Sequence, residues 1–384
     1  MNIGFDAKRA YQNSTGLGNY SRTLIASLAR SFPEHEYFLF TPRVSAMFDP
    51  APFPNVHNVS PASFPAKLLR SAWRSKWVTA DLKKNNIDIY HGLSHELPLG
   101  MQKTGIASVV TMHDLIFERY PQQFKKADRV IYHEKFSRAC KTADRIIAIS
   151  QQTKRDLVEF YNTAEEKITV CYQSCHPAFA EKIPEGTIET VKKKYGLPGT
   201  YFLSVGSIIE RKNLLTACRA IKNLERKLDM PLVVIGNGDD YVKLVKKYIA
   251  ANNLQQQIIF LSEKKEATEQ GIKTGSDLPA IFQGATALVY TSIFEGFGIP
   301  ILEALWSGLP VVSSNASCMP ETGGNAVLYA DPFDEEQFAA HLLNIANDKA
   351  LANELKEKGR LHAQNFTQEK CAAAVMNVYN SLKK

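Results

Sequence analysis

Short apolar runs of strand type alternate with helical patterns along the chain, and this alternation restricts it to parallel sheets covered by helices on both faces. A first series of strands falls near Asn2–Asp6, Glu36–Thr41, Ile87–His91, Ser108–His113, Arg145–Ser150 and Ile168–Tyr172. Helices such as Gly18–Ala29 and Lys125–Ala143 lie between its members. A second series begins at Tyr201–Gly206 and continues through Leu232–Gly236, Ile258–Leu261, Ala287–Thr291 and Leu309–Ser313. Between the two, Phe179–Thr200 is polar and rich in Lys, Glu, Pro and Gly, which is linker composition. The chain has 384 residues, enough for two domains that each bury a core. The expected class is α/β: two doubly wound, Rossmann-like parallel-sheet domains facing a central cleft, with ligands beyond the carboxyl ends of the strands. Expected boundaries are 1–178, a linker 179–200, 201–365 and a C-terminal segment 366–384.

Composition removes several function classes. No apolar run approaches the roughly 20 residues that cross a bilayer. The first residues, Met1–Lys8, contain Asp6 and no apolar signal core, so they read as the first core strand. Six scattered cysteines read as reduced thiols. Cys171, Cys175 and His176 lack a second ligand pair, so no metal is expected. The net charge of +7 comes without a basic stripe interleaved with aromatics, so nucleic acid is not an expected partner.

The most informative segment is Glu295-Gly296-Phe297-Gly298-Ile299-Pro300-Ile301-Leu302-Glu303. It follows the apolar run Ala287–Tyr290, and Pro300 and Gly308 stand where a helix starts and stops. Strand, glycine loop and helix present bare backbone N–H groups and a positive helix end to an anion. One carboxylate lies in the loop and the other about one turn into the helix, so both can face one ligand. That combination suits a sugar nucleotide.

Three further loops carry candidate chemistry. After Tyr201–Gly206, Arg211 and Lys212 precede a helix, and two adjacent cations there suit a diphosphate. Near the N-terminus, Gly16-Leu17-Gly18 forms a glycine turn opening a helix, without the full dinucleotide fingerprint. His113 ends an apolar strand beside Asp114, where an imidazole pointing into a cleft can hydrogen-bond a substrate hydroxyl or phosphate.

Together these residues resemble the retaining glycosyltransferases of family 4, which have the two-domain GT-B fold. The resemblance spans nearly the whole chain, through Gly16–Gly18, His113–Leu115, Ala143–Ser150, Val205-Gly206 with Arg211–Asn213, Val234–Gly238, Glu295–Glu303, and Phe366-Thr367 with Tyr379. It implies that Glu303 accepts hydrogen bonds from the ribose and that Arg211 and Lys212 hold the leaving diphosphate. Glu295, with the N–H groups of Phe297, Gly298 and Ile299, would orient the donor sugar, and His113 would touch that sugar near its reacting face. Gly16 and Gly18 would let their loop approach the diphosphate. The last helix would cross back to the first domain.

The resemblance also implies front-face transfer of a hexose, with retention, to a glycan or lipid-linked glycan in cell-surface polysaccharide biosynthesis. On resemblance alone the donor leans to GDP-mannose, with UDP-hexoses as the other option. No Asp-x-Asp occurs, which fits a metal-independent reaction without a cofactor. A sugar-nucleotide epimerase of the same architecture is the competing function. Phe64–Val78 places Leu69, Trp73 and Trp77 four apart beside Lys67, Arg70 and Arg74, the pattern of an interfacial helix. A cytoplasmic enzyme with weak membrane-surface contact through this segment is therefore expected.

Overall fold

The computed structural model describes every residue except 226, 239, 270, 273, 274 and 384, so the last residue of the expected 366–384 segment lies outside the described residues. The chain divides into two units, Met1–Cys175 with Phe366–Lys384, and His176–Asn365.

The first unit holds β1 (Asn2–Asp6), β2 (Glu36–Phe40), β3 (Val56–Val59), β4 (Ile89–Gly92), β5 (Ala107–Met112), β6 (Arg145–Ala148) and β7 (Ile168–Val170). They form one sheet in the order β3-β2-β1-β4-β5-β6-β7, with every neighbouring pair parallel. The second unit holds β8 (Phe202–Val205), β9 (Leu232–Ile235), β10 (Ile258–Phe260), β11 (Ala287–Tyr290), β12 (Val311–Ser314) and β13 (Val327–Ala330). Its order is β10-β9-β8-β11-β12-β13, again all parallel. All four residues of β9 and of β11 are buried, because helices cover a parallel sheet on both faces. On one of those faces the Leu214–Leu224 helix packs Ala217, Ile221 and Leu224 into a core shared with Phe338, Leu342 and Ile345. Both sheets reverse their strand order beside their first strand, and in such sheets that is where ligands bind.

The final helix, Gln368–Asn380, is capped by Thr367, whose hydroxyl accepts from the Lys370 N–H at 3.3 Å. It buries Cys371, Val375 and Tyr379 and packs on the Gly16–Ser31 helix, so the expected return to the first unit is present. A buried polar chain ties it down. The Tyr379 hydroxyl lies 2.6 Å from His91 Nδ1, His91 Nε2 lies 2.8 Å from Thr111 Oγ1, and Tyr20 reaches the same Thr111 oxygen at 3.0 Å. Burial lowers the His91 pKa to about 3, which keeps the ring neutral within this chain.

Several expectations are corrected. The polar stretch 179–200 contains the helix Glu185–Tyr195, which buries Ile188, Val191 and Tyr195, so composition alone did not make it a linker. The glycine turn at Gly16–Gly18 is already helical, since its helix runs Gly16–Ser31.

The Phe64–Val78 stretch is not one amphipathic helix. It runs as Phe64–Leu68, Arg70–Ala72 and a π-helical turn Trp73–Trp77 before the helix Val78–Lys84. The break at Leu69 and the wider turn rotate Trp73 out of the expected stripe and into the core, 2% exposed, where its Nε1–H donates to Asp81 at 2.6 Å. Arg74 likewise turns inward, onto Asp6 and Glu96.

Candidate functional site

In the second unit β8 and β11 are neighbours, and right-handed crossovers send their following helices to opposite faces of the sheet. The loops beyond them part around a recess of about 290 Å³ open to solvent, lined by residues that include Gly206, Ser207, Lys212, Tyr290, Thr291 and Ser292. Its floor is backbone. The Gly206 N–H donates to Ile235 O at 2.9 Å, and the Ile208 N–H donates to Asn237 O at 2.8 Å. That approach explains the two glycines of Val234–Gly238: a Cβ on Gly236 would stand 1.8 Å from Gly206 O, and one on Gly238 2.0 Å from Ile208 O.

The loop after β8 closes as a tight turn, Glu210–Lys212, followed by Asn213 in the left-handed region at φ 53°. Thr291 Oγ1 donates to Asn213 O at 2.9 Å, and Asn213 Nδ2 donates to Pro332 O at 2.6 Å, so the turn is pinned to the end of β11 and to the segment after β13. This aims the two cations at the Glu295 loop. Arg211 Nη1 lies 3.0 Å from Glu295 Oε2 and also donates to Phe294 O. Lys212 Nζ lies 2.5 Å from Glu295 Oε1 and 3.1 Å from the Tyr290 hydroxyl. Burial would raise the Glu295 pKa, but Lys212 and Arg211 hold it at about 2. Both cations thus pair with the same carboxylate. Arg211 is itself buried, 9% exposed, so Lys212 is the cation that lines the recess.

The Glu295–Gly298 loop is fixed from behind. Ser317 Oγ accepts from the Glu295 N–H at 3.3 Å and donates to Glu295 O at 2.8 Å, and Thr322 Oγ1 donates to Phe297 O. Gly298, at φ 90°, caps the helix Ile299–Trp306, so Pro300 is its second residue rather than its first. Glu303 is the fifth. Its half-buried carboxyl has no cation or hydrogen-bond donor among the described residues, and burial raises its pKa to about 7. The expected acids thus differ in kind: Glu295 is ionised and paired, while Glu303 is unpaired and titrates near neutrality.

The first unit holds the remaining candidates. His113 follows β5, but it is 5% exposed and packs in the interior of its unit rather than standing free at a strand end. Its ring meets Tyr20 edge-on at 4.6 Å, and its Nε2–H donates to Leu93 O at 2.8 Å. Its backbone N–H donates to His95 Nε2 at 3.1 Å. Burial, with His95 beside it, lowers the His113 pKa to about 3, so the imidazole is neutral and retains Nδ1 as an acceptor. Gly18 is required by close approach, since a Cβ there would stand 1.8 Å from Asn13 O, whereas nothing lies within 4 Å of one on Gly16.

Sequence reasoning missed Tyr290 as the partner of Lys212, and Ser317 and Thr322 as supports. Tyr290 closes the apolar run directly before the Glu295 loop, which is a usable signal. Ser317 and Thr322 lie about twenty residues away and carry none.

The fold is of the GT-B type. Solved structures agree on the fold: a glycosyltransferase from Rickettsia africae matches at TM-score 0.73 and 18% identity, over 99% of this chain and 98% of that one. Anabaena HepE in complex with UDP-glucose matches at 0.73 and 15%, over 99% of each chain. The family model "Glycosyltransferase Family 4" matches residues 14–177, and "Glycosyl transferases group 1" matches 187–362. The chain belongs to this glycosyltransferase family, which sets the epimerase alternative aside.

Over its full length the chain is similar to the O-antigen chain mannosyltransferase B of Escherichia coli, at 28% identity across 400 positions covering 100% of both chains. It is also similar to the O-antigen chain mannosyltransferase RfbU of Salmonella typhimurium, at 29% identity over 76% of this chain and 75% of that one.

Proposed function

We propose that this protein transfers mannose from GDP-mannose to a growing cell-surface polysaccharide, with retention of configuration and without a metal ion. The observation that carries this reading is the end-to-end similarity to an O-antigen chain mannosyltransferase. The cation pair beside a buried acid at the β8–β11 reversal supports it.

In this reading Lys212 neutralises the leaving diphosphate, with Arg211 behind it, and Glu303 accepts from the ribose hydroxyls. Glu295 and the N–H groups of Phe297, Gly298 and Ile299 orient the sugar, while His113 accepts from one of its hydroxyls through Nδ1. Gly16 and Gly18 give the diphosphate room beside their turn.

The decisive experiment offers GDP-mannose and a panel of UDP-hexoses with a lipid-linked or free O-polysaccharide acceptor. Release of nucleoside diphosphate should require acceptor, survive a chelator and give a product of retained anomeric configuration by NMR. Release that ignores the acceptor, or inversion, would overturn the reading.

The proposal includes work at a cytoplasmic membrane surface, where a lipid-linked acceptor would be met. Among the described residues no helix is long and apolar enough to cross a membrane. The surface that supports contact is smaller than the sequence suggested: Phe64, Leu68, Leu69 and Trp77 are exposed beside Lys67, Arg70 and Lys76, without Trp73 or Arg74.

A further inference from the structure

The Glu295 carboxylate occupies the cations that a diphosphate would need. Lys212 carries three N–H donors. One is given to the Tyr290 hydroxyl at 3.1 Å, and the ammonium stands 2.5 Å from Glu295 Oε1 as an ion pair. The same ammonium lines the recess. Arg211 is turned to Glu295 Oε2 and Phe294 O through Nη1, and is buried. An anion entering beside Lys212 therefore meets a cation already shared with a fixed negative charge. Inside a partly desolvated site that charge is felt strongly.

We propose that Glu295 weakens the site's hold on the free nucleoside diphosphate, so that product leaves after transfer. The donor recovers the lost affinity through hydrogen bonds from its sugar hydroxyls to the same carboxylate. The inference rests on the sugar-nucleotide reading above and adds to Glu295 a task beyond orienting the sugar.

The charges favour product as the more affected species. While the sugar is attached, each phosphate of the donor carries one negative charge. When the glycosidic bond breaks, the terminal phosphate gains a second ionisable oxygen, whose pKa is about 6. Product is thus more anionic than donor at neutral pH and is repelled more by the acid. It also lacks the sugar that would engage the acid. One residue then discriminates between the two in the direction that turnover needs.

The test compares wild type, Glu295→Asp and Glu295→Gln by calorimetry with inorganic pyrophosphate, GDP, UDP and their mannose or glucose conjugates. Removing the charge should tighten pyrophosphate and nucleoside diphosphate by about tenfold, the scale of one partly screened charge at close range. Donor should gain less or lose affinity, so the donor-to-product affinity ratio falls. Glu295→Asp, which draws the carboxylate back by one methylene, should lie between the other two and serves alone if the Gln variant does not fold. Pyrophosphate affinity that is unchanged or weaker in the variants, with wild type binding normally, overturns the inference and leaves the sugar-nucleotide reading standing. Failure of wild type to bind any of these nucleotides overturns that reading and the inference with it.

Discussion

The two units reverse their strand order at equivalent places and fill those places differently. In the first, Asp6 at the end of β1 takes Arg74 through Nε at 3.0 Å and Nη2 at 2.5 Å, and Arg74 Nη1 reaches Glu96 at 3.0 Å. Lys135 completes the group at 3.2 Å from Glu96. Within these four groups two cations pair with two carboxylates, with Lys8 close enough to feel both acids. In the second, Arg211 and Lys212 both pair with Glu295, and Lys212 opens onto a recess. The same topology gathers charged side chains at the reversal in both units, but what those side chains face differs. A cluster closed on itself holds the fold, whereas a cation in reach of solvent can meet an anion.

The largest effect should come from breaking the closed cluster. Arg74→Ala leaves Asp6 buried without its partner and should cost about 3–5 kcal/mol of unfolding free energy in urea denaturation. Pyrophosphate affinity of the folded protein should not change. A cost below about 1 kcal/mol would erase the contrast between the two clusters.

Lys212→Ala should behave in the opposite way. Transfer should fall by about 100- to 1,000-fold, as for a lost donor to developing charge. Stability should shift by less than about 1 kcal/mol, because Arg211 still pairs with Glu295. A normal turnover rate would remove Lys212 from the site.

Glu303 sharpens the comparison through pH. Its pKa is raised from 4.5 to about 7, so the folded protein binds more protons than the unfolded chain between those values. Stability from this group therefore declines as pH rises through that window. Ribose hydroxyls require the ionised carboxylate, so donor binding should release a proton, and affinity should fall by up to about tenfold per pH unit below 7. Glu303→Gln should flatten that profile and weaken donor by about 1.5–3 kcal/mol. A pH-independent wild type would show that Glu303 does not meet the donor.

The smallest effect concerns charges of the first unit that stand outside its closed cluster. Lys67→Glu with Arg70→Glu should weaken sedimentation with anionic vesicles, at about 1 kcal/mol for each cation lost near the surface, and added salt should mimic the change. Equal recovery on neutral and anionic vesicles, unaffected by the pair, would exclude this surface.

The sheets were legible where burial on both faces imposes continuous apolar runs, as in Leu232–Ile235 and Ala287–Tyr290. β3 escaped because it is an edge strand reading Val-His-Asn-Val, with His57 and Asn58 exposed. β13, at the other sheet's edge, buries only its first and last residues, Val327 and Ala330. The Glu295–Glu303 element was legible for a different reason. A glycine loop between strand and helix, and the carboxylates it carries, are local properties that neighbours in the chain specify.

By itself, then, the sequence determined the parallel α/β class, the loop after β11 and the residue types gathered there, because periodicity, glycine and charge act over a few residues. Only tertiary structure decided what those charges face. Arg211 turns inward, Lys212 pairs with Glu295 and donates to Tyr290, and His113 is neutral among Tyr20, Leu93 and His95. Trp73 and Arg74 left the expected surface stripe because a π-turn redirected them. Burial, ion pairing and pKa depend on groups brought close by folding and distant in the chain, and no local pattern encodes them.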